Sequence, residues 1–398
     1  MKILITTDCY KPTINGVVTS IINLETELRK LGHEVKILCP SENIHCEDEE
    51  NVYRIGSMGL NKIYSGARVA LRIGQGNLQK LIEWKPDIIH SQSEFSSFIM
   101  AKKIAAETGC PIIHTYHTVY ENYTHYFSPS ITLGRKAVML LTRKILQHTK
   151  TVIAPSKKIE DMLLGYGVKQ PIKVVPTGLR LEKFSESYSQ ETIDSLKASL
   201  GIPKDSRVLI SVGRAAKEKN IEELINYFTK LDMKNTVLLI VGGGPYLETL
   251  KELAKEETAK GKVIFTGAVS PDKIAQYYKL GDIFLSASQS ETQGLTYIEA
   301  LAIGLPAVCR KDSCLDGVVT DGENGAQYTD IESFSKWVST ILADEQLKRG
   351  MSEKAVKTAE RYSAEKFAET MADIYSAVIE KRNGYEIEDT LYTDENCG

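Results

Sequence analysis

Two glutamates in one short stretch have the type and spacing that could bind a sugar. The run SETQGLTYIEALAIGLPAVCR spans residues 290–310, and Glu299 follows Glu291 by eight positions. From Leu295 onward, apolar residues recur near the 3.6-residue period, which predicts a helix that ends at Gly304. One carboxylate therefore precedes the helix, and the other lies about two turns within it.

The start of this predicted helix also supplies hydrogen-bond donors. The backbone N–H groups of Gly294, Leu295 and Thr296 have no partner within the helix and should point into the space beside Glu291. Amides at a helix start bind phosphate, and carboxylates accept hydrogen bonds from hydroxyls, so the pair suits a nucleotide sugar. An ordinary helix with an acidic first turn would show the same pattern, and this stretch alone does not separate the two interpretations.

Two cations and a glycine run follow strands predicted in the same half of the chain. Arg214 and Lys219 come after the apolar run 208–212, at the strand edge where open α/β sheets bind ligands. A guanidinium fork and an ammonium suit a diphosphate, although two ordinary surface cations would look alike. Gly243 lies in VGGGP, which predicts a tight turn close to a ligand. The full G-x-G-x-x-G pattern is missing, and this disfavours a dinucleotide-dependent oxidoreductase.

The first half of the chain offers a second, weaker set of candidates. The pair Asn15-Gly16 lies between a strand at 2–6 and a helix, where glycine lets a ligand approach the backbone. His117 stands just past the strand at 111–115, again at a ligand-binding edge. A turn and a packed surface histidine are the plainer interpretations of these residues.

The composition is that of a globular protein, with 42% apolar and 25% charged residues. No apolar run approaches the roughly 18 residues of a membrane helix. The opening MKILITT resembles a buried strand more than a secretory signal. The seven cysteines include no CxxC pair and are expected to be reduced thiols of a cytoplasmic protein.

Charge is unevenly distributed along the chain. The formal net charge is −3, yet residues 61–150 hold 12 Lys and Arg against 5 Asp and Glu. Two basic amphipathic helices are predicted there, near 62–82 and 133–148, and either could lie on anionic lipid or pack on the core. In the second, a helical wheel separates the cations Arg135, Lys136, Arg143 and Lys144 from the apolar residues Ala137, Val138, Leu141 and Ile145.

Strands alternate with helices along most of the sequence. This alternation predicts an α/β protein with two Rossmann-like, doubly wound parallel-sheet domains and a cleft between them. We place the first domain at 1–180 and the second at 181–365, with 182–206 as a linker that contains one helix. Residues 366–398 are expected to form a helix that packs back on the first domain, followed by an acidic tail.

The order of NGVV, HTVYE, GRAAKEKN, GGGP and ETQGLTYIE resembles the retaining GT-B glycosyltransferases of family four over nearly the full length. The acid pair with seven intervening residues is the most specific mark of that family. HTVYENYTHYF and SETQGLTYIEA resemble most closely its bacterial branch that makes α-monoglucosyldiacylglycerol. The family carries a bulky apolar residue where this chain has Gln293, which leaves the donor sugar open.

For the donor nucleotide, the resemblance implies a role for three residues. Arg214 and Lys219 would bind the diphosphate and stabilise the charge on the departing nucleotide, and Glu299 would accept hydrogen bonds from the ribose. No divalent cation would be bound by the protein, since the two cations neutralise the diphosphate and the sequence has no Asp-x-Asp. No cofactor is expected.

For the sugar, the resemblance implies contacts from both domains. Glu291 would hold a sugar hydroxyl beside the helix amides, and His117 would contact the 6-hydroxyl. Gly16, with Asn15 before it, would let the first loop approach the donor. Reaction would occur on one face of the sugar, with the leaving phosphate helping to deprotonate the acceptor, in preference to a double displacement.

The resemblance thus implies transfer of glucose from UDP-glucose to the 3-hydroxyl of 1,2-diacylglycerol, with retention. The enzyme would be peripheral on the cytoplasmic face of a bacterial membrane, held to anionic lipid by its basic helices, and would have no nucleic-acid partner. Two alternatives stay open: another donor or acceptor, as in a phosphatidylinositol mannosyltransferase or an enzyme with a soluble sugar acceptor, or a nucleotide-sugar-binding protein without activity.

Overall fold

A computed structural model describes residues 1–13, 15–41, 49–59, 68–70, 75–121, 130–231 and 233–382. In these segments the chain forms two doubly wound parallel sheets with helices packed on them, and this confirms the predicted fold class.

The first domain is built on a parallel sheet of seven strands in the order β3-β2-β1-β6-β7-β8-β9. Its strands are β1 Lys2–Thr6, β2 Glu34–Pro40, β3 Val52–Ile55, β6 Ile88–Ser91, β7 Ile112–Thr115, β8 Thr151–Ala154 and β9 Ile172–Val174. A separate antiparallel pair is formed by β4 Ser57–Gly59 and β5 Arg68–Ala70. The helices are α1 Gly16–Lys30, α2 Gln75–Trp84, α3 Ser96–Thr108, α4 Ile131–Leu146 and α5 Lys157–Gly165.

The second domain has a parallel sheet of six strands in the order β12-β11-β10-β13-β14-β15. They are β10 Arg207–Val212, β11 Thr236–Val241, β12 Val263–Gly267, β13 Ile283–Ser286, β14 Ala307–Arg310 and β15 Gly325–Tyr328. The helices after β9 are α6 Glu182–Ser185, α7 Gln190–Ser199, α8 Ile221–Leu231, α9 Leu247–Leu253, α10 Lys255–Ala259, α11 Ile274–Tyr278, α12 Leu295–Ile303, α13 Ile331–Ala343, α14 Glu345–Ala359 and α15 Ala364–Arg382.

The central strands are buried on both faces, which explains why they consist of continuous apolar runs. All six residues of β11 are buried, since helices cover the sheet on each side. Strands in such sheets run parallel, and their carboxyl ends therefore meet at one edge of each sheet. That edge carries the loops described below.

The last helix, α15, belongs in space to the first domain. Phe367, Met371 and Tyr375 are buried in the same apolar cluster as Ile3 and Ile5 of β1. The chain therefore passes between the domains twice, once after β9 and once before α15.

The region after residue 180 differs from the linker predicted by the sequence. Residues 182–206 contain two helices, α6 and α7, where one was expected. Phe184 and Ile202 are buried in the core of the second domain. Because the segment is mostly polar, its sequence did not predict that these two apolar residues are buried in the core.

The predicted basic helix near 62–82 is wrong as one continuous element. Residues 61–67 and 71–74 lie outside the described segments, but Arg68–Ala70 is a strand that pairs with Ser57–Gly59. A helix, α2, begins only at Gln75. Glycines before and after this point weaken a helix there.

The second basic stretch does form a helix, α4, but its faces differ from the predicted ones. The buried side is Gly134, Val138, Thr142 and Leu146. Ala137 and Leu141 were expected on the apolar half, yet both are exposed. The helical-wheel prediction did not allow for a glycine and a threonine on the buried side. Leucines as well as cations therefore lie on the exposed side of α4.

Candidate active site

The loop that carries Glu291 joins β13 to α12 at the carboxyl edge of the second sheet. The Glu291 carboxylate forms an ion pair with the Lys219 ammonium, and both side chains are mostly buried. Burial raises the pKa of Glu291, but the charge and hydrogen bond of Lys219, together with a hydrogen bond from Ser288 and the charge of Lys158, hold the pKa below its ordinary value. The site therefore contains an ionised carboxylate in a largely dry position.

Lys219 lies at the end of a short 3-10 turn, Lys217–Lys219, after β10. Arg214 begins the same connection and pairs with Glu218, while its side chain stays 43% exposed. The Ser290 hydroxyl donates to the backbone carbonyl of Glu218 at 3.2 Å. The cation turn and the Glu291 loop therefore form one bonded unit.

The glycine run after β11 is hydrogen-bonded to the connection that carries Arg214 and Lys219. The N–H of Ala215 donates to the carbonyl of Gly243 at 2.9 Å. A Cβ on Gly242, whose φ is +139°, would lie 1.9 Å from the Gly213 carbonyl oxygen, so only glycine fits. Gly243, predicted to contact substrate, thus has a visible role in shaping the turn that presents Arg214.

The helix α12 begins as predicted beside Glu291. Gly294 occupies the position before the helix, with φ +79°, and has no side chain with which to cap it. Leu295 and Thr296 are the first helical residues, whose N–H groups precede the internal ladder. The dipole of the helix and these amides favour an anion at this point.

Glu299 is placed one to two turns along α12 and has different partners from Glu291. Its carboxylate accepts a hydrogen bond from the Tyr278 hydroxyl at 2.7 Å. Burial raises the pKa of Glu299, and the bond from Tyr278 only partly opposes it. The two acids therefore differ in position and in the direction of their pKa shifts: the pKa is lowered for Glu291 and raised for Glu299.

The first domain contributes the start of α1. Asn15 caps this helix by accepting a hydrogen bond from the Val18 N–H at 2.9 Å. A Cβ on Gly16 would lie 3.8 Å from Cδ1 of Leu295, which belongs to the second domain. The structure thus brings the two predicted loops, one from each domain, into direct proximity.

His117 follows β7 at the carboxyl edge of the first sheet. Its Nε2 lies 2.6 Å from Oε1 of Gln92, the residue that follows β6. Burial lowers the pKa of His117 to about 4, so the ring is neutral at physiological pH. A neutral imidazole whose Nε2–H is engaged by Gln92 keeps Nδ1 as an acceptor for a hydroxyl.

Several polar residues that the sequence did not single out lie at the carboxyl edge of the first sheet. Gln92 bonds to His117, and Glu94 accepts from the Tyr120 hydroxyl at 2.5 Å. Asp8, after β1, accepts from the backbone N–H of Ser97 at 2.9 Å, and burial raises its pKa to about 6. Each of Asp8, Gln92 and Glu94 closely follows a strand, so the edge rule applied to His117 would have found them.

The structure brings some of the predicted residues together and gives others separate partners. Lys219 contacts Glu291 directly, and Gly16 approaches Leu295 across the cleft. Arg214 and Glu299 instead pair with Glu218 and Tyr278. His125, the second histidine of HTVYENYTHYF, lies outside the described residues.

The described segments contain neither a metal-binding cluster nor a helix that could span a membrane. Among the residues the structure covers, no group of three or more His, Cys, Asp or Glu side chains could hold a metal ion. Within the same part of the chain, every helix is too short or too polar to cross a bilayer.

Comparison with known proteins agrees with this architecture. Residues 14–183 match the profile of Glycosyltransferase Family 4, and residues 192–358 match that of Glycosyl transferases group 1. Alpha-monoglucosyldiacylglycerol synthase of Streptococcus pneumoniae is 36% identical over 389 residues, covering 96% of this chain and 87% of the relative. The synthase of the same name from Acholeplasma laidlawii is 34% identical over 393 residues, covering 96% and 98%.

A solved structure shows the same fold at lower identity. Anabaena HepE, solved in complex with UDP and glucose, superposes with a TM-score of 0.75 at 17% identity, over 95% of this chain and 100% of that one. Two Rossmann-like domains with parallel sheets are the architecture of the GT-B glycosyltransferases. The chain belongs to the family-four glycosyltransferases of this fold.

Proposed function

We propose that the protein transfers glucose from UDP-glucose to the 3-hydroxyl of 1,2-diacylglycerol, with retention, at a membrane surface. The Lys219–Glu291 pair at the start of α12 is the observation that carries the proposal. It combines a cation for the leaving diphosphate with an ionised carboxylate for sugar hydroxyls. The names of the synthases of Streptococcus pneumoniae and Acholeplasma laidlawii supply the acceptor and the sugar.

In this mechanism the donor diphosphate lies between the second-domain cations and the first turn of α12. Lys219 and Arg214 stabilise the negative charge that develops as the bond to the sugar breaks, in a site partly shielded from water. The amides of Leu295 and Thr296 add fixed dipoles to the same charge. Glu291 accepts from sugar hydroxyls, and Glu299 accepts from the ribose.

The acceptor hydroxyl approaches from the first domain. His117, neutral and held by Gln92, bonds a sugar hydroxyl and orients the ring. The acceptor attacks on the face that the diphosphate leaves, and a phosphate oxygen takes its proton, so the configuration is retained. The protein side chains position the substrates and neutralise the leaving diphosphate, and no residue forms a covalent intermediate.

Membrane association is proposed for the outward face of α4. Leu133 is 66% exposed, Leu140 60% and Leu141 52%, and Lys144 shares this side of the helix. Leucines with cations on one face suit the boundary between headgroups and acyl chains. An acceptor that cannot leave the bilayer requires such contact.

The test is a donor panel with lipid acceptors. Protein is incubated with labelled UDP-glucose, UDP-galactose, UDP-N-acetylglucosamine or GDP-mannose and mixed micelles of diacylglycerol and anionic lipid. We expect labelled lipid from UDP-glucose alone, with an α linkage by NMR. Labelled lipid from another donor would indicate a different donor specificity. UDP binding without turnover, with the same affinity in Glu291→Gln, would indicate a binding protein.

A further inference from the structure

Gln293 is a buried polar residue that the mechanism above does not use. It lies two positions after Glu291, directly before Gly294, and is only 4% exposed. Gln293 also replaces the apolar residue expected there from the family resemblance. A buried amide needs partners, and the location of those partners is informative.

The Gln293 side chain bonds to both backbone groups of one residue in the other half of the chain. Its Oε1 accepts from the Thr177 N–H at 2.6 Å, and its Nε2 donates to the Thr177 carbonyl at 3.0 Å. The two bonds together define the orientation of the amide, because the N–H of Thr177 can only donate and its C=O can only accept. The glutamine thus pairs with Thr177 as a neighbouring strand would.

Thr177 lies where the chain passes from the first domain to the second. Strand β9 ends at Val174, and Leu179 is already packed in the second-domain core. The next carbonyl, that of Gly178, accepts from the Asn23 side chain of α1 at 2.9 Å, in a buried position. One short segment is therefore held by α1 on one side and by the Glu291 loop on the other.

A second contact ties the same loop to the first domain. The hydroxyl of Ser156, just before α5, donates to the carbonyl of Thr292. Thr292 lies between Glu291 and Gln293. Thr292 and Gln293 therefore both form hydrogen bonds to the first domain or to the segment that leaves it. A residue that only filled the core would not need these bonds.

We infer that Gln293 is a positioning residue that couples the Glu291 loop to the segment joining the domains. Through its bonds to Thr177, the position of the loop, and with it that of Glu291, depends on how the two domains are placed relative to each other. The inference rests on the proposed nucleotide-sugar site, because coupling matters only if the loop binds ligand. An apolar residue of similar length would leave both backbone groups of Thr177 without this partner.

The experiment measures hydrogen–deuterium exchange with and without UDP in wild type, in Gln293→Met and in Gln289→Met. Methionine conserves length and volume, and exposed Gln289 lies on the same loop as a matched control. In wild type we expect UDP to slow exchange in both 288–294 and 176–179. In Gln293→Met, protection of 176–179 should fall by about tenfold while residual protection of 288–294 persists.

UDP affinity is measured by calorimetry on the same samples. Gln293→Met should bind UDP about tenfold more weakly, equivalent to about 1.4 kcal/mol, and Gln289→Met should match wild type. Equal protection of 176–179 in wild type and Gln293→Met would overturn the inference, as would wild-type protection confined to 288–294.

Failure of the proposed function is distinguishable from failure of the coupling. If wild type binds no UDP, the nucleotide-sugar assignment fails, and exchange without ligand still decides the coupling. Faster exchange of both segments in Gln293→Met then supports it, and faster exchange of 288–294 alone contradicts it. Circular dichroism confirms that each variant is folded.

Discussion

At the scale of residues, the central feature is the dependence of Glu291 on Lys219. A largely buried carboxylate is disfavoured unless charges and hydrogen bonds compensate it, and Lys219 contributes most of this compensation, with smaller contributions from Ser288 and Lys158. In the proposed reaction Lys219 also faces the diphosphate, and loss of its charge would affect both partners.

We therefore expect Lys219→Met to lower kcat by about 100-fold or more, because the charge on the leaving diphosphate loses its stabilising cation. The pKa of Glu291 should also rise, and the remaining activity should fall at acidic pH. Labelled glucose transfer across a pH series measures both effects. Lys217→Met, an exposed lysine on the same turn, is the control, and equal activity of the two variants would exclude this role.

His117 gives a prediction about stability and pH. Its pKa is 6.5 when exposed and about 4 in the folded protein, so the unfolded chain binds more protons between these values. Its contribution to stability is complete above about pH 6.5 and is lost as pH falls toward 4. Summed over that interval, the loss is at most about 3–4 kcal/mol.

His117→Gln removes the titrating ring, so the free energy of unfolding should fall less steeply between pH 6.5 and 4 than in wild type. Urea denaturation at several pH values measures the slope. His148→Gln, at an exposed histidine whose pKa is lowered less than that of His117, should change the slope less than His117→Gln does. A wild-type slope in His117→Gln would mean that another group accounts for the dependence.

At the scale of elements, α4 shows what a helical wheel can and cannot predict. Periodicity identified the helix, because its apolar residues recur at helical spacing. The choice of buried face depended on Gly134 and Thr142, which are not apolar anchors but are buried. The consequence is an outward face that carries three exposed leucines.

Replacement of Leu133, Leu140 and Leu141 by serine should weaken binding to anionic vesicles by about tenfold or more, because apolar area leaves the lipid boundary. Stability should change little, since these side chains are exposed. Vesicle sedimentation at two salt concentrations measures the binding. Leu253→Ser, an exposed leucine of the second domain, is the control, and unchanged sedimentation of the triple variant would reject α4 as the contact.

At the scale of the whole molecule, the two domains were predictable and their junction was not. Buried apolar runs such as β11 predict strands, and the strand-edge rule placed Lys219 and Glu291 together. The segment at Thr177 depends on partners far away in sequence. Asn23 is 155 positions from Gly178, and Gln293 is 116 positions from Thr177, and no local pattern records such contacts.

The junction is also where a single methyl group should have the widest effect. A Cβ on Gly178 would lie 2.6 Å from both Cβ of Phe367 and the carbonyl oxygen of Ser363, so the segment and the start of α15 must move apart. Gly178→Ala should lower the free energy of unfolding by about 1–3 kcal/mol, as overpacking does. UDP binding should weaken too, because Thr177 is adjacent.

Denaturant unfolding and small-angle scattering, each with and without UDP, test this expectation. Gly165→Ala is the matched control, because a Cβ there meets no atom within 4 Å and the residue is exposed at the end of α5. That variant should keep wild-type dimensions and stability. If Gly178→Ala scatters and unfolds like Gly165→Ala, the two crossings of the chain do not control how the domains are placed.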